Sequence, residues 1–371
     1  MLVERIEARW IAAFVEVLRR CAIVAGDTVA VLSESQSRRV LVDLADLAAS
    51  QLGARVFHLV VPTPSPASSI PIRSTGASDA IGRLAPVVQA LAAATLVIDC
   101  TVEGLLHAPE LPDILKGGAR LLMVSDEHPE ILERCMPDDQ IETVVRAAMK
   151  KLRDVASAAS NAASKMASSA ASTMRITSIA GSDLTVQLKG ARVGGVWGYC
   201  AKPGQVAHWP GGLCLAFPAA GSVDGTLVLA PGDVNLAFKT YLRDRIALTI
   251  ESDAIVAIEG EGVDADLMRG YWRSWEELEG NRNAYAVSHV GWGLNRAARW
   301  DALAFYDKRD CNGTELRAFA GNFLFSTGAN EVAGRHTRGH FDLPMRNCTI
   351  ALGGAVVVER GVPLAEETIA S

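Results

Sequence analysis

The first 150 residues alternate short apolar runs with stretches whose apolar residues recur at helical spacing. The segments TVAVLSE (28–34), TLVIDCT (95–101) and ARLLMVSD (119–126) each contain an unbroken apolar run, VAVL, LVI and LLMV respectively. Such a strand has to be covered on both faces, which is the situation of a strand in a parallel sheet between two layers of helices. We therefore predict an α/β N-terminal domain with a parallel sheet.

The pattern changes after a stretch of low complexity at 155–173, which is rich in alanine and serine. From residue 174 onward, short runs of alternating polarity are punctuated by glycine, and one amphipathic helix interrupts them at 264–282. The segment MRITSIAGSDLTVQLKG (174–190) has the form of a β-hairpin. We predict a Rossmann-like α/β domain at 1–155 and an α+β, mostly antiparallel domain at 174–371, connected by a helix tail.

The turn after the first predicted strand argues against dinucleotide binding. It reads SESQSRR (33–39) and contains no glycine. A dinucleotide-binding turn needs glycines so that the pyrophosphate can approach the N-terminus of the following helix. The N-terminal domain is therefore not predicted to bind a nicotinamide or flavin dinucleotide.

Charge, hydropathy and cysteine content limit the cellular locations and the classes of binding partner that are expected for this chain. The net charge is −6, so no large basic field is available for nucleic acid. The N-terminus lacks the pattern of a signal peptide, and no apolar run reaches the roughly 18 residues that a membrane span needs. The seven cysteines are odd in number and form no CxxC pair, which favours reduced thiols. These features predict a cytoplasmic protein that binds neither nucleic acid nor membrane.

Two motifs in the second half of the chain suggest a metal site. GRHTRGHFDLPMRN (334–347) contains His340 and Asp342, two residues apart. Residues at this spacing on a strand point to the same face, so both side chains can reach one ion. His289, in SHVGWGLN (288–295), would complete the set from a separate strand or turn. Two imidazoles and one carboxylate on one side of a metal leave positions open opposite them.

The residue types alone leave the nature of this site open. The same ligand set serves non-haem Fe(II) in oxygenases and, in similar form, catalytic zinc in hydrolases. A single histidine is also more often structural than a metal ligand. A metal site and a set of structural histidines therefore both remain possible at this point.

The two motifs resemble the 2,5-dihydroxypyridine 5,6-dioxygenases, which are similar in architecture to the M29 metallo-aminopeptidases. The peptidase pattern has a metal-binding glutamate ahead of Gly-x-Gly-x-Asn. Here His289 stands ahead of Gly291, Gly293 and Asn295. A second peptidase glutamate has no counterpart in WPGGLCLAFP (209–218), which contains no acid. The dinuclear peptidase site is thus missing ligands.

The resemblance implies a single Fe(2+) ion bound by His289, His340 and Asp342. It also implies extradiol-like cleavage of 2,5-dihydroxypyridine by O₂ to N-formylmaleamate, a step of nicotinate and nicotine degradation, in a homo-oligomer. Substrate and O₂ would be the small-molecule partners.

Three further residues receive roles from the same resemblance. His107, just beyond the predicted strand 95–101, matches a catalytic acid/base. The crevice at the carboxyl ends of parallel strands, where α/β sheets bind ligands, is consistent with that role. Arg317 and Ser326 match positions that contact the substrate. His208 lies in a Trp-Pro turn, and no role is predicted for it.

Two other functions compete with this hypothesis. An M29-type metallo-aminopeptidase would need a metal-activated water and a second set of carboxylates. A non-enzymatic binding protein would use these histidines only structurally. Dependence on O₂ separates the dioxygenase from the peptidase, and metal content separates both from the binding protein.

Overall fold

A parallel sheet forms the N-terminal part of the protein. The computed structural model describes residues 5–68, 78–124, 126–158 and 171–364. The strands from the first half of the chain are β1 (Thr28–Glu34), β2 (Arg55–Val61), β3 (Leu96–Asp99) and β4 (Arg120–Met123). The helices are α1 (Ala8–Arg20), α2 (Arg39–Gln51), α3 (Ala85–Ala92), α4 (Leu111–Lys116), α5 (Pro129–Arg134) and α6 (Asp139–Ala158).

Strand β1 shows why the apolar runs form a parallel sheet. Val29 and Val31 belong to the core beneath α1 and α2, whereas Ala30 and Leu32 belong to the core on the opposite face. All four side chains are fully buried. Because alternate residues of a strand point to opposite faces, only a continuous apolar run can supply both cores. The predicted α/β sheet between helices is confirmed.

The fifth strand of this sheet comes from the second half of the chain. Strand β8 (Val206–His208) pairs in parallel with β4, so the sheet order is β2-β1-β3-β4-β8. The sheet therefore crosses the division at 155 and 174 that the sequence suggested, and that division stays a prediction about folding units. Most of the connection predicted at 155–173 lies outside the described residues, since α6 ends at Ala158 and the next strand begins at Thr173.

The remainder of the chain builds antiparallel sheets, as predicted. One has the order β14-β13-β10-β6-β5-β18-β19-β20 and another β17-β16-β15-β9-β7, with β11 and β12 as a separate pair. The strands are β5 (Thr173–Ser178), β6 (Asp183–Gln187), β7 (Arg192–Val196), β9 (Leu213–Phe217), β10 (Val223–Leu229), β11 (Val234–Asn235), β12 (Thr240–Tyr241), β13 (Ile246–Glu251), β14 (Ala254–Glu259), β15 (Val287–Gly293), β16 (Phe323–Thr327), β17 (Phe341–Met345), β18 (Cys348–Leu352), β19 (Ala355–Glu359) and β20 (Val362–Pro363).

The predicted hairpin at 174–190 is strands β5 and β6, which pair in antiparallel register. The predicted helix at 264–282 is α7 (Val263–Glu279). Two short helices follow, α8 (Ala302–Phe305) and α9 (Thr314–Ala318), together with 3₁₀ turns at Asn283–Tyr285 and Glu331–Ala333.

Helix α7 packs against the sheet that carries the predicted metal ligands. Tyr271 and Trp272 are fully buried and lie against Phe341 of β17, with ring centroids 4.7 and 4.9 Å away. Leu152 of α6 belongs to the same core. A helix of the N-terminal part thus helps to build the core of the C-terminal part, and the two parts share buried apolar surface.

No helix of the described residues is long and apolar enough to cross a membrane. The seven cysteines are buried and form no disulfide.

Candidate metal centre and substrate site

The site is built on three neighbouring antiparallel strands. His289 of β15 lies opposite Ser326 of β16, and Ser326 lies opposite Asp342 of β17. Residues directly opposite each other in a sheet point to the same face. The register therefore places an imidazole, a hydroxyl and a carboxylate in one row, and all three residues are buried.

His340 joins this row from the residue just before β17. Its Nε2 atom lies 3.2 Å from Oδ1 of Asp342, so the two side chains share a face, as their spacing predicted. A side chain at Gly328 would stand 3.1 Å from Nδ1 of His340, so glycine leaves room for the ring. The Tyr271 hydroxyl donates a hydrogen bond of 2.6 Å to the His340 carbonyl oxygen, which ties this segment to α7.

His107 approaches the row from the N-terminal part of the chain. It lies in the loop after β3, at the carboxyl edge of the parallel sheet. Its ring centroid is 4.3 Å from that of His340 and 6.4 Å from that of His289. One ring nitrogen from each of the three histidines lies within 4.8 Å of the others. The structure thus brings together four residues that the sequence singled out, from loops and strands far apart in the chain.

Arg317 and Ser326 both bind the Asp342 carboxylate. The Arg317 Nε atom donates to Oδ2 over 2.6 Å, and the Ser326 hydroxyl donates to Oδ1. Arg317 lies on the short helix α9, and its Nη1 atom also donates to the Asn312 carbonyl oxygen. The two residues therefore sit at the site and fix the orientation of Asp342, while their predicted contacts with a substrate stay predictions.

The electrostatics of the site keep His107, His289 and Asp342 in their deprotonated forms. Burial, aided by the neighbouring histidines, holds the pKa of His107 well below its usual value. Burial lowers the pKa of His289 to about 3. Burial alone would raise the pKa of Asp342, but its contacts with His340 and Arg317 hold that pKa well below its usual value. Neutral imidazoles next to an ionised carboxylate are the forms in which these side chains bind metal ions.

The residues present fit a metal ion in a second respect. The Nδ1 atom of His289 is buried and has no hydrogen-bond partner among the described residues. Unsatisfied buried polar atoms are uncommon and call for an explanation such as an ion or a water. Two donor sets are available, since His289 and His340 could be completed by Asp342 or by His107.

The structure places His208 near this site, which the sequence had not suggested. His208 ends β8, is 6% exposed, and its Nδ1 atom lies 2.6 Å from the Pro210 carbonyl oxygen. Because a carbonyl oxygen can only accept, Nδ1 carries the proton. Burial lowers the pKa of His208 to about 4, with a further contribution from Arg317. A strand of three residues is too short to show a periodic pattern, so no local signal marks this position.

Phe217 is a second neighbour that the sequence did not single out. It comes from the acid-free stretch 209–218 and ends β9, the strand paired with β15. Its ring meets the His289 imidazole edge to face, with centroids 5.4 Å apart, and the Arg192 guanidinium lies 4.4 Å from the centre of the Phe217 ring. An aromatic ring thus lies against His289 on the side of β9.

Three other histidines have local contacts of their own. His128 begins α5 and its Nδ1 atom accepts a hydrogen bond of 3.2 Å from the Glu130 amide, as a helix-start residue should. His58 lies on the edge strand β2 with its Nε2 atom 3.6 Å from an Asp46 carboxylate oxygen. His336 is exposed.

The fold and the site together define a class of protein in which a parallel sheet and antiparallel sheets surround a buried histidine and carboxylate centre. Wild-type AmpT from Thermus thermophilus has the same overall fold, with a TM-score of 0.62 over 96% of this chain and 99% of its own. At 13% identity this likeness concerns the fold alone.

Comparison with more similar proteins assigns the family. The model of the NicX family, 2,5-dihydroxypyridine 5,6-dioxygenase, matches residues 9–365. The 2,5-dihydroxypyridine 5,6-dioxygenase of Pseudomonas putida KT2440 is 37% identical over 359 residues, which are 95% of each chain. A solved structure of 2,5-dihydroxypyridine dioxygenase from Pseudomonas putida KT2440 superimposes with a TM-score of 0.86 and 34% identity, covering 98% of this chain and 99% of that one. The chain belongs to the 2,5-dihydroxypyridine 5,6-dioxygenase family, and the resemblance drawn from its motifs is confirmed.

Proposed function

We propose that this protein is an Fe(II)-dependent dioxygenase that converts 2,5-dihydroxypyridine and O₂ to N-formylmaleamate in the degradation of pyridines. The observation that carries the proposal is the meeting of His107 with His289, His340 and Asp342 at one buried face. The family and the relative from Pseudomonas putida support the ring-cleaving reaction. Both oxygen atoms of O₂ enter the product, so no organic reductant is needed.

His289, His340 and Asp342 would hold the iron. Two ligand atoms bound to one ion at right angles lie roughly 3 Å apart, and His340 Nε2 and Asp342 Oδ1 are separated by 3.2 Å. This set is the two-histidine, one-carboxylate arrangement typical of non-haem iron oxygenases. Fe(II) bound there would supply adjacent positions for the substrate hydroxyl and O₂ and a path for electrons between them.

His107 would accept the proton of the substrate hydroxyl. It reaches the site from the N-terminal part of the chain, and its ring lies next to the rings of both proposed ligand histidines. Its lowered pKa keeps the imidazole neutral near pH 7, so a ring nitrogen is available as a base. Loss of the hydroxyl proton makes the ring more electron-rich, which is the state that donates electrons to O₂.

Arg317 and Ser326 would orient the substrate from the side of Asp342. A guanidinium offers several donors, so Arg317 could bind a charged ring oxygen in addition to Asp342. The Ser326 hydroxyl has one proton, so it could bond to the ring nitrogen or to O₂ by turning away from Asp342. Both side chains bond to Asp342, one of the proposed ligands, which supports these assignments.

The decisive experiment is O₂ uptake with 2,5-dihydroxypyridine. Metal-free protein is loaded with Fe(II) or, as the matched control, with Zn(II). We expect the Fe(II) form to consume one O₂ per ring lost from the absorbance spectrum, and the Zn(II) form to be inactive. Ring loss in the absence of O₂, or equal rates with both metals, would overturn the proposal.

The same preparation separates the peptidase alternative. An M29-type activity would hydrolyse a leucine amide anaerobically, whereas a dioxygenase should leave it intact. The variant His340→Ala should fail to retain stoichiometric iron because it removes one proposed ligand. Full iron retention by that variant would contradict the ligand assignment.

The homo-oligomeric state implied by the resemblance and the cytoplasmic location predicted from the sequence remain predictions. Light scattering of the purified protein tests the first, and fractionation of the producing cells tests the second.

A further inference from the structure

The loop that carries His107 is held by side chains rather than by regular secondary structure. It runs from Thr101 to Ala108 between β3 and α4 and belongs to no helix or strand. Thr101, Val102 and Leu105 are nevertheless buried, so their backbone N–H groups need partners other than water. The conformation of this loop therefore depends on which acceptors the surrounding protein offers.

Asp99 supplies most of these acceptors. This residue ends β3 and is fully buried. Its Oδ1 atom accepts hydrogen bonds from the Thr101 amide at 3.0 Å and from the Thr101 hydroxyl at 2.6 Å. Its Oδ2 atom accepts from the Leu105 amide at 2.7 Å. The carboxylate thus joins the start of the loop to Leu105, which lies two residues before His107.

Glu34 holds the same loop from the neighbouring strand. It ends β1, which pairs with β3, and it is 4% exposed. Its Oε1 atom accepts a hydrogen bond from the Val102 amide at 3.1 Å and from the Ser78 hydroxyl at 3.4 Å. Carboxylates from two adjacent parallel strands therefore meet beneath one loop.

Burying two carboxylates next to each other costs stability. Burial raises the pKa of Asp99 to about 6, although the hydrogen bonds from Thr101 and Leu105 oppose the rise and the charge of Glu34 adds to it. Apolar or neutral side chains would avoid this cost. Local conflicts of this kind are expected where a structure serves function rather than stability.

We propose that Asp99, assisted by Glu34, is a positioning residue that sets His107 against His340 and His289 for proton transfer. The proposal rests on the role proposed above for His107. A displacement of a base by about 1 Å can reduce a rate by about a hundredfold. Because His289, His340 and Asp342 come from the other part of the chain, the loop can shift without disturbing the proposed iron ligands.

The test uses isosteric variants of the full-length, iron-loaded protein. Asp99→Asn keeps the size of the side chain but replaces one acceptor with an amide NH₂, which faces either the Leu105 or the Thr101 donors. We expect kcat to fall about 10- to 100-fold with bound iron unchanged and KM altered much less. Loss of bound iron together with kcat would overturn the proposal.

A matched control exists in the C-terminal part of the protein. Asp253 is also fully buried and accepts hydrogen bonds from three backbone amides, those of Gly221, Ser222 and Val223. Asp253 also pairs with Arg335, and none of these partners belongs to the His107 loop. Asp253→Asn should therefore lower the melting temperature but leave kcat within about threefold of the unaltered protein. An equal loss of kcat in both variants would show a merely structural role.

A double-mutant cycle with His107→Ala identifies the route of the effect. If Asp99 acts through His107, Asp99→Asn should change single-turnover rates less than about twofold in the His107→Ala background. Multiplied losses would overturn the proposal while leaving the function of His107 intact. Full activity of His107→Ala alone would instead refute the proposed role of His107, and the positioning proposal with it.

Should Asp99→Asn fail to fold, Glu34→Gln, which disturbs fewer hydrogen bonds, replaces it in the same cycle.

Discussion

Asp342 is the residue on which the contacts of the site converge. Its carboxylate lies within hydrogen-bonding distance of His340, Ser326 and Arg317 and is 4% exposed. A buried carboxylate is stable in its ionised form only with such partners. The partners also fix its direction, and partners that orient a metal ligand typically affect metal affinity or activity 10- to 100-fold.

Arg317 should therefore affect metal binding as well as substrate binding. For Arg317→Met we expect iron affinity to fall roughly 10- to 100-fold, because Asp342 loses the donor on Oδ2. Iron retention during dialysis against a weak chelator measures this directly. The matched control is Arg335→Met, since Arg335 is similarly buried and binds the carboxylate of Asp253 at 2.9 Å. Equal iron retention by both variants would contradict the role assigned to Arg317.

At the level of elements, the position of His289 depends on how closely β15 lies against its neighbours. A Cβ atom at Gly291 would stand 2.1 Å from the Cys214 carbonyl oxygen of β9, and one at Gly293 would stand 2.2 Å from the Phe319 carbonyl oxygen. Neither backbone atom can move as freely as the end of a side chain. The glycines of the Gly-x-Gly motif are thus required by strand packing, and they set the depth at which β15 presents His289.

The variant Gly291→Ala should displace β15 from β9. We expect roughly 3 kcal/mol of lost stability, which is the upper part of the usual range for overpacking, together with reduced iron binding because His289 lies two residues away. The control is Gly334→Ala, where nothing lies within 4 Å of the added atom and only the left-handed backbone, at φ 67°, is strained. That strain costs about 1 kcal/mol. Urea unfolding compares the two variants, and equal losses would contradict the packing explanation.

At the level of the whole molecule, the site exists only because the two parts of the chain interlock. Strand β8 extends the N-terminal sheet, and α6 contributes Leu152 to the C-terminal core. Polar contacts also cross between the parts, since Arg338 pairs with Asp79 and the Ser68 and Ser274 hydroxyl oxygens are 2.6 Å apart. His107 is held at a fixed position relative to His340 by this interlocking.

A fragment of residues 1–158 should therefore not fold as an independent domain. Without β8 the edge of β4 is unpaired, and Leu152 of α6 loses the C-terminal core in which it is buried. We expect low solubility and no cooperative transition in urea, followed by circular dichroism, where the full chain shows one. A cooperative transition in the fragment would instead support the domain division predicted at 155 and 174.

Much of this architecture could be predicted from local patterns. Continuous apolar runs indicated the parallel sheet, and the spacing of His340 and Asp342 indicated a shared face. Both patterns are local, because alternate residues of a strand point to the same face. His289 was assigned by its motif, and its alignment opposite Ser326 and then Asp342 follows from strand register. Register depends on long-range pairing and cannot be derived from one strand alone.

The sequence by itself determined the two kinds of sheet, the family of the chain and the residue types of the site. Only the tertiary structure decided that β8 joins the first sheet and brings His208 close, and that Asp99 and Glu34 hold the His107 loop. The physical reason is that local propensity acts over a few residues, whereas burial and hydrogen bonding act between segments that lie far apart in the chain. His107 and His340 are neighbours because the cores of the N-terminal and C-terminal parts pack together. No local sequence pattern predicts that packing.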